Sequence, residues 1–520
     1  MNRFFNLKVL LALANAGGVT AFGQALPAQV EREAIQVSTR LVQVNVLVRD
    51  KNGPVTGLTK DDFVVLDRGK TQAITFFAVE MGRSTRPSVS PMPLNVFTNR
   101  PERKVSSGGP VTIVLLDEVN TSFEDQVHAK SELIRFIEKM DPRDRIAIYT
   151  LGSRLRVLTD FTSDPAQIQR AVLQYRGKIA DDLKTSKPDP SNTGNAWLDA
   201  LTDESNAKLA DSAISKRTRL TLAALQAIAH HVERVPGRKN LIWISGEFPF
   251  AATRVLSDAD VAVYPVDARG LVASTEMQAA SKGRGNTRRL QPAPTTQANG
   301  AGDMLTIADE TGGRAFKNRN GLDTAIRKAL DDSAVSYTLG FYQDSSEADG
   351  KYHELKVRVD HKGVDVRHRK GYVAYKDTAD STGRERQSVF STAAWSPLES
   401  TQIPLSAKVE FVNTPKSDSL RFSVIVDLRG VHFTKSGEHW TGDLEMHFLQ
   451  KDKDDQLLDS TAQPVHLDCS EATYEQYRDG GVAVGQIIEL KSGVQTVRIV
   501  VLDRGAAEVG SLIVPVSEVR

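Results

Sequence analysis

Val111-Thr112-Ile113-Val114-Leu115-Leu116 is the stretch on which the fold turns. An apolar run without alternation suits a strand whose sheet is covered on both faces, as in a parallel sheet lying between helices. Asp117 follows at once. Downstream, a helix is predicted over 123–140. Val127, Ile134, Ile137 and Met140 share one of its faces, and Ser122 with Asp125 has capping-box spacing. Strands at 145–149 and 155–158 lie close enough to form an antiparallel pair. Helices are predicted near 164–175, opening at Asp164-Pro165, and near 216–235, where Leu222, Leu225, Ala229 and Val232 form one stripe. Strands at 241–244 and 261–264 follow. A helix near 303–311 stops at Thr311-Gly312-Gly313, and a short strand at 314–316 and a helix near 321–332 finish the series. This alternation predicts a doubly wound, mostly parallel α/β sheet over 111–342. The polar stretches 178–212 and 276–302 read as surface loops within it.

The flanks have the period of strands. Val42, Val44, Val46 and Val48 alternate, Asn52-Gly53 marks a turn, and further strands are expected at 63–66 and 74–77. Residues 36–81 thus form a small β unit, too small to bury much alone. Strands within 343–376 are expected to pack with it. Residues 82–110, rich in Pro, Ser, Gly and Arg, read as a linker, as does the polar segment 377–399. Residues 400–520 carry strands such as 422–426 and 497–501 between turns, the pattern of an all-β sandwich.

The length of 520 residues fits about three or four domains. Lys and Arg number 66 against 65 Asp and Glu, a net charge of +1, which argues against nucleic acid as a partner. The single cysteine, Cys469, excludes an intrachain disulfide framework, and its alternating surroundings place it in a strand, buried. Arg3 and Lys8, an apolar run at 9–14 and small residues around Ala21, Gly23 and Ala25 are the parts of a secretory signal over 1–25. An exported protein is expected, periplasmic, on the outer surface or secreted, with no membrane span after cleavage. Neither His-Glu-x-x-His, Gly-x-Ser-x-Gly nor Gly-x-x-x-x-Gly-Lys occurs, so common protease, hydrolase and P-loop signatures are missing.

Four segments carry a family resemblance: Val46-Leu47-Val48-Arg49-Asp50-Lys51-Asn52-Gly53 through Gly57-Leu58-Thr59-Lys60-Asp61-Asp62-Phe63; Leu115-Leu116-Asp117-Glu118-Val119-Asn120-Thr121; Pro236-Gly237-Arg238-Lys239-Asn240-Leu241-Ile242-Trp243-Ile244-Ser245; and Arg369-Lys370-Gly371-Tyr372. Over about 40–376 the chain resembles the acidobacterial VWFA-related exported proteins, with a central von Willebrand factor A-like domain. The resemblance implies a divalent cation, Mg²⁺ by its oxygen ligands, at the carboxyl ends of the central strands. The family's Asp-x-Ser-x-Ser pattern is met by Asp117 and Thr121, while its middle position is Val119. The later Thr falls near Arg219 and Thr218, and the second Asp is replaced in Ile244-Ser245-Gly246. Asn120, Ser122, Ser245 and Glu247 remain as substitute oxygen donors. Two readings of Asp117 stand: a weak, degenerate cation site, or, favoured, a carboxylate that satisfies loop amides where the next helix starts. Thr121 and Ser122 likewise read as cation ligands or as helix caps.

The function expected on this basis is non-enzymatic: a binding or adhesion module for a protein or a cell-envelope polymer. Its contacts are placed on loops 117–122, 160–164 and 245–250, with Phe248 and Phe250 as exposed apolar anchors. The alternatives are a hydrolase or other enzyme using an interdomain cleft, which demands converging groups of perturbed pKa, and a structural envelope protein.

Overall fold

The computed structural model describes residues 41–81, 92–101, 110–141, 144–177, 196–269, 297–317, 322–343, 349–374, 381–413, 418–478 and 480–519. The signal segment expected over 1–25 lies outside them.

The chain begins in a β unit with β1 (Leu41–Asp50), β2 (Gly53–Pro54), β3 (Phe63–Asp67), β4 (Lys70–Gln72) and β5 (Phe76–Met81). A short β6 (Val96–Thr98) precedes the α/β layer. That layer comprises β7 (Val111–Asp117), α1 (Phe123–Ile137), β8 (Ile146–Leu151), β9 (Leu155–Thr162), α2 (Pro165–Gln174), α3 (Ala196–Val232), β10 (Lys239–Ser245), α4 (Ala252–Asp258), β11 (Val261–Asp267), α5 (Gln297–Thr311) and α6 (Leu322–Asp332). The chain then returns to the β unit through β12 (Val335–Tyr342), β13 (Tyr352–Val359), β14 (Asp365–Arg367) and β15 (Gly371–Val373). After α7 (Gly383–Trp395) come β16 (Leu405–Asn413), β17 (Asp418–Val426), β18 (Thr434–Ser436), β19 (His439–Lys451), β20 (Leu457–Ser470), α8 (Glu471–Tyr477), β21 (Val482–Glu489), β22 (Thr496–Asp503) and β23 (Val509–Pro515).

The central sheet has the order β9-β8-β7-β10-β11, parallel except for β9. Its two faces are both covered, which explains the unbroken apolar run of β7. Val111, Ile113 and Leu115 pack toward α3, α4 and α5, and Val114 and Leu116 toward α1, α2 and α6. This is a doubly wound sheet, whose switch point falls between β7 and β10, the two strands that lead away in opposite directions.

Several boundaries differ from the expected ones. β12 does not belong to the α/β layer: it pairs with β1 and β5, so that layer ends with α6 rather than at 342. β1, β3, β12 and β13 share one core through Val44, Val65, Tyr337 and Leu355. The expected linker 82–110 contributes β6, which extends the C-terminal unit by pairing with β16. Within the expected linker 377–399, α7 is capped by a Thr382–Glu385 capping box and buries Ala393 and Ala394 against Val500 and Val509. The expected loop 178–212 is helical from Ala196, so α3 runs unbroken for 37 residues, and the expected loop 276–302 is helical from Gln297. Val127 is exposed, and Ala129, Leu133 and Phe136 hold the inner face of α1 instead.

The C-terminal unit is two antiparallel sheets, β21-β17-β16-β6 and β18-β19-β22-β23 with β20 on β19, sharing a core that includes Phe422 and Phe448. Cys469 is buried in β20, its thiol pushed up by that burial.

The β unit is held to the α/β layer by buried arginines. Arg369 donates to the carbonyls of Gln43 in β1 and Ser257 in α4. Removing it takes away two charge-assisted hydrogen bonds, at about 1.5–3 kcal/mol each. Arg369→Met is therefore expected to lower unfolding free energy by ~2–5 kcal/mol in urea titrations. A change below ~0.5 kcal/mol would show that Arg369 does not hold the two units together.

Candidate functional site

Doubly wound sheets open a crevice at the carboxyl ends of their strands, at the switch point. Asp117 ends β7 and Ser245 ends β10, so both stand there. Asp117 is only 1% exposed. Its Oδ1 accepts from the Asn120 backbone N–H at 3.2 Å, and its Oδ2 from Asn120 Nδ2 at 2.8 Å and Trp243 Nε1 at 3.1 Å. The Ser245 hydroxyl lies 2.9 Å from the same Oδ2 and 2.7 Å from the Glu247 carbonyl. Ser245 has one proton for these two acceptors, and protonation of Asp117 would relieve that competition. That is the direction in which burial drives this carboxyl, against the hydrogen bonds from Asn120, Trp243 and Ser245.

Asn120 carries the network outward. Its other Nδ2 proton goes to Thr221 Oγ1 at 2.8 Å, and its Oδ1 accepts from Arg217 Nη1 at 3.1 Å. The donor-only guanidinium at Oδ1 fixes the amide's orientation chemically. Arg217 Nη2 then donates to Glu247 Oε2 at 3.0 Å. Thr121 does not face a vacant shell either: its hydroxyl accepts from Gly246 N–H at 3.1 Å. Ser122 caps α1, accepting from the Asp125 N–H. The cap reading describes Ser122, whereas Asp117 takes one loop amide, that of Asn120, and otherwise side-chain donors, and Thr121 binds the β10 loop rather than capping α1.

The residues expected to gather at the tip, Asp117, Asn120, Thr121, Ser122, Ser245 and Glu247, do lie on adjoining loops. Arg217, Thr221 and Trp243 were not among them. Arg217 and Thr221 stand one helical turn apart on α3, on the stripe continued by Leu225, Ile228 and Val232. Thr218 and Arg219, where the resemblance placed the later ligand, take no part in this network. The stripe itself was the signal, since a cation and a hydroxyl continuing a buried face need polar partners.

Two further expectations are corrected. Phe248 is no surface anchor: it is 3% exposed, with its ring edge-on to Trp243 at 4.9 Å. Phe250 stays outside at 55%, joined by Phe123 at 46% at the start of α1. Loop 160–164 lies at the wrong end of the sheet, because β9 runs antiparallel and Thr162 pairs with Ile146 at the start of β8. The tip hairpin is 152–154. There Arg154 meets Asp455 of the C-terminal unit at 3.5 Å, bringing that unit beside one flank of the crevice.

A resident cation does not fit these residues. Asp117 is enclosed by protein donors, and Asn120 Oδ1 and a Glu247 oxygen are engaged by the Arg217 guanidinium. Inserting a metal would strand buried N–H groups, at about 1–3 kcal/mol each. Among the described residues no group of three or more His, Cys, Asp or Glu is placed to hold a metal.

No protein-family model matches the chain, and no curated protein does. Among solved structures, an aerotolerance-related membrane protein from Bacteroides fragilis is similar at 13% identity, over 44% of this chain and 98% of that one, with a TM-score of 0.25. Proximal thread matrix protein 1 of the mussel byssus, described with a zinc-occupied MIDAS motif, is similar at 12% identity over 44% of this chain and 47% of its own, with a TM-score of 0.25. A von Willebrand factor type A protein from Catenulispora acidiphila is similar at 9% identity over 85% of this chain and 72% of its own, with a TM-score of 0.23. Superpositions this loose add nothing to the fold assignment, which rests on the strand order.

The raised Asp117 carboxyl has a measurable consequence. Its stabilising contribution is complete below the ordinary value of 3.8 and is lost as pH rises through the higher folded value. The melting temperature of the wild type relative to Asp117→Asn is thus expected to fall as pH is raised from about 4 to 7. A difference independent of pH would show that the carboxyl is ionised throughout.

Proposed function

We propose that this chain is an exported, von Willebrand A-like binding module that docks a protein or an envelope polymer on the loops at its strand tips, without a metal. The observation that carries this reading is the closed polar network at the switch point. It spends the reactive-looking side chains on one another and leaves a rigid lip bearing two exposed rings, Phe123 and Phe250. Aromatic side chains on a preorganised surface are favoured anchors, because little entropy is lost when they are covered. The doubly wound strand order and the resemblance of residues 40–376 to exported VWFA-related proteins support the reading by analogy. Among the described residues no helix is long and apolar enough to cross a membrane.

An enzyme would need converging titratable groups open to substrate. Asp67, His353 and Tyr372 do converge in the β unit: His353 Nδ1 lies 3.0 Å from Asp67 Oδ1, and the Tyr372 hydroxyl donates to Asp67 Oδ2 at 2.7 Å. His353 is 0% and Asp67 2% exposed, so this cluster joins strands rather than meeting a substrate.

Capture from native cell envelopes tests the proposal. The wild type is expected to retain a partner equally with and without EDTA, and Phe250→Ala to weaken that partner's Kd by ~10-fold or more, as a hot-spot ring does. Loss of the partner on chelation, or a Kd unchanged by both Phe250→Ala and Phe123→Ala, would overturn it.

A further inference from the structure

The oxygens that gather at the strand tips are not idle. Asp117, Asn120 Oδ1, Ser245 and Glu247 are the donors a hard cation would take, and the protein gives two of them, Asn120 Oδ1 and Glu247 Oε2, to one guanidinium. Arg217 has a side chain only 4% exposed, reached through α3 rather than from solvent. Its planar fork meets an amide oxygen with one terminal nitrogen and a carboxylate with the other, while its Nε has no hydrogen-bond partner. What Arg217 adds to these oxygens is what a bound cation would add. Here that is charge: an arginine is protonated at every physiological pH, so the positive centre is permanent. Asn120 passes it on, with Oδ1 toward Arg217 and Nδ2 toward Asp117.

We infer that Arg217 is a built-in cation, occupying with its guanidinium the oxygen donors that would otherwise hold a divalent metal, so that the tip becomes a metal site only when this side chain is removed. The inference deepens the metal-free docking reading and rests on it for its biological meaning, but its test uses no partner. Without Arg217, the buried Asp117, Asn120 Oδ1 and Ser245 and the half-buried Glu247 lose the cation that touches them, although the field of Arg269 still reaches Glu247, and a hard cation is the species that restores balance. Arg217→Lys keeps the charge and is expected to keep metal out.

Trp243 supplies the probe. Its indole N–H lies 3.1 Å from Asp117 Oδ2, so Tb³⁺ held there is sensitised by tryptophan excitation. Titrating the whole chain with Tb³⁺, and competing with Mg²⁺, is expected to give no Asp117-dependent signal for the wild type or Arg217→Lys. Arg217→Ala should show saturable luminescence with ~10-fold or greater gain in apparent affinity. Adding Asp117→Asn to Arg217→Ala should abolish that gain, which separates it from binding near any of the other three tryptophans. If Arg217→Ala is unstable, Arg217→Met retains the aliphatic stem, and recovery of either variant's melting transition on adding Mg²⁺ reads the same gain. Asp117-dependent Tb³⁺ binding in the wild type, or neither luminescence nor Mg²⁺ stabilisation in the alanine and methionine variants, would overturn the inference. Failure of partner capture would leave it standing, and its own failure would leave the aromatic lip untouched.

Discussion

Met81 and Val335 face each other across the β5–β12 pair, and every residue of the α/β layer lies between them in sequence. The chain therefore leaves the β unit and returns to it at one place, having visited the C-terminal unit through β6 before it enters the layer. The contacts that join the β unit to the layer sit at the amino ends of the central strands. Glu80, next to the exit, accepts from the N–H of Arg238 at the foot of β10 and from the hydroxyls of Ser336 and Thr338. Arg238 in turn donates to the Gly312 carbonyl and to Tyr264. Arg369 reaches Ser257, just before the foot of β11. With the amino ends bound in this way, the carboxyl ends of the strands are left at the far end of the layer, where a doubly wound sheet exposes its crevice.

The segments that carry the family resemblance are, with one exception, parts of this joint or the turns that feed it. Gly237 has a φ of +87°, which favours glycine, and a Cβ there would come within 2.7 Å of Glu80 Oε2 and displace that carboxylate from the joint. The β unit's share is similar. Asp50 accepts from the N–H groups of Asn52 and Gly53, and Thr59 and Asp62 close a capping box. Arg369-Lys370-Gly371-Tyr372 clasps α4 and α5 through Arg369, the Lys370 N–H on Glu310 and the Gly371 carbonyl on Ser257. The exception is the segment from Leu115 to Thr121, which ends at the crevice. Signature residues outside a site can thus record how units dock rather than what they bind.

The central sheet was legible because burial on both faces writes itself into β7 as an unbroken apolar run, and Asp164-Pro165 announces a helix start that the structure keeps. Other features left weaker traces. β12 reads like any buried strand, and only its hydrogen bonds to β1 and β5 assign it to the β unit. Three residues at 96–98 are too few for periodicity to mark an edge strand. The polar exterior of α7 hid a helix whose buried face is mostly alanine. At the tip, adjacency along the chain revealed Asp117, Asn120 and Thr121, but Arg217 lies 97 residues from Asn120 and meets it only because α3 crosses the strand ends. Phe248 and Phe250 are indistinguishable in sequence. The turn at 246 sends the first under Trp243 and leaves the second in solvent.

A docking face needs its loops held still before the partner arrives, and metal-dependent sites achieve this when the ion binds. Here the loops are locked from within. Gly246 approaches so closely that a Cβ would lie 2.6 Å from the Asn120 carbonyl, and its N–H is shared by that carbonyl and Thr121 Oγ1. Asp117 ties Trp243 and Ser245 of β10 to Asn120 of the β7 loop, and Arg217 ties that loop to Glu247 and to α3. A carboxylate in so dry a place would be destabilised alone. Indole, amide and hydroxyl donors around it oppose that penalty without drawing on solvent ions, while burial still pushes the carboxyl up. Rigidity obtained in this way is independent of cation supply and does not consume the partner's binding energy. The same closure carries a chemical consequence for the proposed docking: an acidic partner would gain no open coordination position, and recognition would fall to the rings and charges around the lip, Phe123, Phe250 and the Arg269–Asp267 pair.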